Sequence, residues 1–145
     1  MALHLIKLCV GVESIDELET HVENRLARAR RGGLSAEYTH TTRMTPTRVD
    51  DIIDGGSLYW VIKGQVQVRQ PIIAIRPFTD GEGIKRCHIV LQPVLVRTVW
   101  QPRRAFQGWR YFKAEDAPAD IPDAASGEEQ FPPDLRRELM ELGLL

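Results

Sequence analysis

The order of apolar and polar positions divides this chain into a strand, a long helix and then a run of short strands. Leu3 to Val10 is apolar except at His4 and Lys7, which predicts a buried strand ended by Gly11. Ser14-Ile15-Asp16-Glu17 follows. It has the form of a capping box, in which the Ser and Glu side chains each satisfy an orphan backbone N–H. Ile15, Leu18, Val22, Leu26 and Ala29 recur at helical spacing. Arg28, Arg30 and Arg31 suit the negative end of the helix dipole, and Gly32-Gly33 supplies the stop. A helix over residues 15–31 is predicted.

Tyr38 to Thr42 is rich in Thr and reads as a strand, broken by Thr45-Pro46-Thr47. A short helix is expected from Thr47 to Asp54, with Val49, Ile52 and Ile53 inward and Gly55-Gly56 as its end. Ser57 to Lys63, Val66 to Phe78 and Arg86 to Val99 predict three further strands, with Asp80-Gly81-Glu82-Gly83 as a turn. The last of these strands should bend at Pro93, which cannot donate to a ladder. Trp100 to Lys113 is aromatic and basic without a clear period. Residues 114–133 are acidic and Pro-rich and read as a linker. Leu135, Leu139 and Leu142 predict a C-terminal helix over 134–145, too sparsely apolar to stand without docking on the domain.

The expected class is therefore α+β. Its sheet is mixed or antiparallel and curled, able to close into a small barrel because the strands are short and bent. A single domain is expected over residues 1–113 of the 145. The hydrophobic fraction of 43% is enough for a packed core and argues against global disorder. No apolar run approaches the roughly 20 residues a membrane helix needs. The opening residues lack the pattern of a signal peptide, so the expected location is the cytoplasm, without a membrane partner. Cys9 and Cys87 both sit in apolar runs and read as buried free thiols.

Net charge changes the picture. The whole chain carries −1, but residues 38–113 hold twelve basic against five acidic side chains, and residues 114–145 hold nine acidic against two basic. The basic middle can attract phosphates, and the acidic tail can fold back upon it. Three segments concentrate candidate chemistry. Trp100 to Phe112 interleaves Arg103, Arg104 and Arg110 with five aromatics. Guanidinium forks suit phosphate or carboxylate, and aromatic faces stack bases; equally, the aromatics can be core and the arginines can lie over them. Arg43 and Arg48 flank the start of the short helix, where free N–H groups can meet an anion; surface pairing with Asp50 or Asp51 is the plainer alternative. Gly55-Gly56 precedes Trp60 and either admits a ligand close to the backbone or simply ends a helix.

Enzyme patterns are absent. None of His4, His21, His40 and His88 has metal-ligand spacing, and the adjacent Cys87 and His88 point to opposite faces of a strand. There is no nucleophile elbow or phosphate loop, and no cofactor motif. Asp50, Asp54 and His88 are the only acid or base candidates for a rival catalytic reading on a phosphorylated or nucleobase substrate.

The segments His4 to Gly11, Thr42 to Arg48, Gly55 to Gly64, and Gln101 to Arg104 through Gly108 to Tyr111 resemble a small bacterial family, domain of unknown function 1489. That resemblance implies no activity and transfers no catalytic residue. The architecture is similar, without a matching motif, to the pseudouridine-synthase-and-archaeosine-transglycosylase-like (PUA-like) barrels and their base-binding relatives. The leading expectation is a non-catalytic module for RNA, a nucleotide or another anionic small molecule. Arg43, Arg48, Arg103, Arg104 and Arg110 would supply charge, and Trp60, Trp100, Trp109 and Tyr111 would supply stacking. A protein-interaction role through the acidic tail is the third reading.

Overall fold

A computed structural model describes residues 2–33 and 38–121. It contains β1 (Leu3–Leu8), α1 (Ile15–Arg31), β2 (Tyr38–Thr42), α2 (Val49–Ile53), β3 (Ser57–Ile62), β4 (Gln65–Thr79), β5 (Lys85–Leu91), β6 (Val96–Pro102) and β7 (Trp109–Lys113). The predicted linker beyond residue 121 and the predicted C-terminal helix lie outside the described residues.

Local chemistry accounts for the helix ends. Ser14 Oγ accepts from the Glu17 N–H at 3.2 Å, while the Glu17 carboxylate reaches one residue beyond the expected partner, to the Glu13 N–H at 2.9 Å. Gly33, at φ 75°, turns the chain away from α1 as the Gly32 N–H bonds the Arg28 carbonyl. The short helix is narrower than predicted. Its five residues present one side chain to the core, Ile52, so Ile53 stands 44% exposed where an inward position was expected.

The sheet is mixed and open, with hydrogen-bonded order β2-β5-β4-β3-β1-β7 and β6 paired to β4. Only β1 and β3 run parallel, and all six residues of β3 are buried, as a strand covered on both faces requires. β4 organises the rest. Its first half pairs with β3 on one edge and β6 on the other, and its second half pairs with β5, with register shifts between Val66 and Val68 and between Ile72 and Ala74. β5 and β6 are one strand in two pieces along the same edge of β4. The break expected at Pro93 spans residues 92–95, between the Leu91–Ile72 and Val96–Arg69 pairs.

Strand alternation sorts side chains to two faces. Leu3, Leu5, Leu58, Trp60, Ile62, Val68 and Trp109 join Ile15, Leu18 and Val22 of α1 and Ile52 of α2 in the larger core. Ile6, Tyr59, Val61, Val66 and Phe112 form a smaller core on the opposite face, with Phe106 packed on it. After β7 the chain returns to β6: Val99 N–H bonds the Ala119 carbonyl and Ile121 N–H bonds the Arg97 carbonyl. Arg69 holds this return with two bonds to the Asp120 carboxylate, at 2.8 and 2.7 Å, and a third to Ser57 Oγ. Residues 114–121, expected as the start of a linker, thus turn after β7 and meet β6 over residues 119–121.

Candidate functional site

The loop from β6 to β7 builds an open groove of about 550 Å³, lined by Ile6, Pro102, Arg103, Arg104, Phe106 and Arg110 among others. Two backbone features hold the loop. Arg103 N–H bonds the Gly64 carbonyl at 2.8 Å, and Gly108 turns at φ 67° into β7. Ile6 and Arg110 are cross-strand partners, so the groove opens beside the smaller core.

Each of two arginines rests on an aromatic ring. The Arg103 guanidinium carbon is 5.0 Å from the Phe112 centroid, and that of Arg110 is 4.9 Å from the Phe106 centroid. Arg103, Arg104 and Arg110 are exposed, and no carboxylate pairs with any of them among the described residues. Three cations in one concavity, with no counter-charge among the described residues, make a region of positive potential whose guanidinium forks suit a phosphate or carboxylate.

The other predicted residues fall elsewhere. Trp60 is 2% exposed in the larger core, its indole N–H donating to Gln70 Oε1. Trp109, at 8%, lies on the same side and donates to the Met44 carbonyl at 2.8 Å. Neither offers a face for stacking. Trp100 is half-buried in a different cavity, with Lys63 and Arg97. Arg48 pairs with Asp51 at 3.0 Å and lines a small cavity with Lys113 and Glu115. Arg43 is exposed on the β2–α2 connection and does not line the arginine groove.

Tyr111 contributes to the groove wall, but its hydroxyl is engaged on the α2 side. It accepts from the Thr47 N–H at 3.0 Å and the Arg48 N–H at 3.4 Å and also bonds the Thr47 hydroxyl at 3.2 Å. Burial raises its pKa, but the Thr47 hydroxyl and then the two N–H groups hold it below the ordinary phenol value. The N–H groups proposed for an anion at the start of the short helix are thus already met by a protein oxygen.

The aromatic partners of the arginines are Phe106 and Phe112, not the tryptophans. The signal was in the sequence. Alternation along Trp109-Arg110-Tyr111-Phe112 places Arg110 with Phe112 and opposite Trp109 and Tyr111.

Among the described residues, no carboxylate or histidine lines the groove with the arginines. Asp50 and Asp54 are exposed on α2 and its end, and His88 stacks on Phe78 with ring centroids 4.0 Å apart. Among the described residues no three His, Cys, Asp or Glu side chains could hold a metal ion, and no helix is long and apolar enough to cross a membrane.

Comparison with known proteins adds one finding. Residues 5–145 match the model of a family described as Protein of unknown function (DUF1489). No curated protein and no solved structure matches the chain.

Proposed function

The chain belongs to this family of unknown function, and from that premise we propose that it is a non-catalytic module binding RNA, a nucleotide or another phosphate-bearing ligand in the groove of Arg103, Arg104 and Arg110. The observation that carries the reading is the concavity itself, lined by three exposed arginines with no carboxylate paired to them among the described residues. Phosphate oxygens would take the forks of Arg103 and Arg104. Phe106, held under Arg110, supplies the apolar edge against which a base can rest. The return of the chain from β7 to β6 supports a barrel-like curl of the sheet with this groove at its mouth.

Among the described residues no carboxylate or imidazole lines the groove, which favours binding over turnover. The test is fluorescence anisotropy of a labelled single-stranded RNA and a labelled nucleotide across a salt series. Three arginine–phosphate contacts predict a slope of log affinity against log salt of about −2, and Arg110 alone about −0.7. The Arg103→Ala/Arg104→Ala variant should therefore lose both affinity and most of the salt dependence. Equal affinity and slope in the two proteins would refute the assignment.

A further inference from the structure

On the other side of β1, where α1 crosses the sheet, a second cavity of about 240 Å³ is lined by Lys7, Cys9, His21, Arg25, Tyr38 and His40, floored by Val12, Leu18 and Trp60. β1 and β2 are separated by three strands in the hydrogen-bonded order, yet both line it, so the sheet bends round α1 to close the space. The cavity shares no lining residue with the arginine groove.

Two observations mark it as more than a packing defect. His40 Nε2 is buried without a hydrogen-bond partner among the described residues, in a ring wedged edge-on against Trp60 with centroids 5.0 Å apart. A buried polar atom left unpaired is destabilising and rare in folded proteins. The lining also holds two cations, Lys7 and Arg25, and no carboxylate among the described residues. Neither makes an ion pair among the described residues, and Arg25 instead lies 4.9 Å over the Tyr38 ring. Lys7 is half-buried, and a partly buried positive charge without a counter-ion is unfavourable, so an anion would relieve it.

We propose that this cavity binds a small organic carboxylate, its charge held between Lys7 and Arg25, its oxygen bonded to His40 Nε2–H, and its apolar body against Leu18 and Trp60. The chemistry of the walls sets the class. Cations, a neutral imidazole and a phenol at one end receive a carboxylate, while aliphatic and indole surface at the other receives a ring or short chain. The imidazole is kept neutral by burial and then by the charges of Lys7 and Arg25, which push its pKa down to about 4, so that one ring nitrogen carries a proton to donate. Cys9 takes no part as a nucleophile, since burial pushes its thiol up to about 11.

The probe is benzoate, added to the full-length protein while the histidine ring resonances are followed by NMR. Saturable movement of the His40 resonances is expected. Lys7→Met and, separately, Arg25→Gln should each weaken benzoate binding by about tenfold, the loss of one charge-assisted contact. Arg25 is itself exposed at the mouth of the cavity, so its variant keeps the test valid if Lys7→Met fails to fold. Arg103→Ala/Arg104→Ala should bind benzoate as the wild type does, which separates this site from the arginine groove. His40 resonances that stay still under benzoate, or equal affinity in the wild type and Arg25→Gln, would overturn the proposal.

Discussion

At Gly56 the chain passes so close to two carbonyl oxygens that a methyl group has no room. A Cβ there would sit 2.2 Å from the Ile52 oxygen and 2.3 Å from the Leu3 oxygen, both backbone atoms of elements that are themselves packed in the core. Neither oxygen can move without dragging α2 off β1. Gly56→Ala should therefore destabilise the fold by about 3 kcal/mol or more, read as a lowered urea midpoint. Gly55 beside it has a different requirement, a left-handed φ of 87°, with open space around it except for Ala2 at 3.8 Å. The two glycines that end α2 thus do separate jobs, and neither is explained by ligand access.

Among elements, the least self-sufficient is α2. Five residues cannot form a stable helix in water, so its position depends on what the rest of the chain supplies. Ile52 anchors one side, and the Tyr111 hydroxyl on β7 meets the Thr47 and Arg48 N–H groups at its start. Arg48, the N-cap residue, makes no side-chain cap of its own. Tyr111→Phe removes the oxygen and leaves the ring. The expected result is a loss of about 1 kcal/mol in stability with RNA affinity changed less than twofold. Intact stability with collapsed affinity would instead make Tyr111 a stacking platform.

Across the whole molecule, two histidines on opposite faces of the sheet are held neutral. His4 Nδ1 accepts the Ser57 N–H at 2.9 Å, and its pKa is lowered by burial and then by Arg69. His40 is pushed from 6.5 down to about 4, again by burial first. Between those values the unfolded chain binds a proton that the folded chain does not. Stability complete above about pH 6.5 should thus be lost as pH falls toward 4, by up to about 3 kcal/mol from His40. Urea midpoints at pH 7 and pH 4.5 measure it, and His40→Gln should flatten the difference. A wild type equally stable at both values would show that His40 is not buried neutral. Asp80 and Asp120 act in a different window: both pKa values are lowered chiefly by arginine hydrogen bonds, so their contribution is lost below the ordinary carboxylate range.

Local periodicity by itself determined α1 to the residue, the strand at Tyr38, the break at Pro93 and the α+β class, because each depends on neighbours within a few positions. It also identified Arg103, Arg104 and Arg110 as a charged cluster, because they are close in sequence. Alternation along β7 marks Phe112 as lying on the Arg110 side, but the tertiary structure decided which ring each guanidinium meets. Burial took Trp60 and Trp109 into the core, while strand alternation placed Phe112, and the β6–β7 loop placed Phe106, beneath the guanidinium groups. It also assembled Lys7, Arg25 and His40 from β1, α1 and β2, residues with no shared motif. Such a cavity arises where a bent sheet wraps a helix, and contacts of that kind between positions far apart in the chain leave no mark in local spacing.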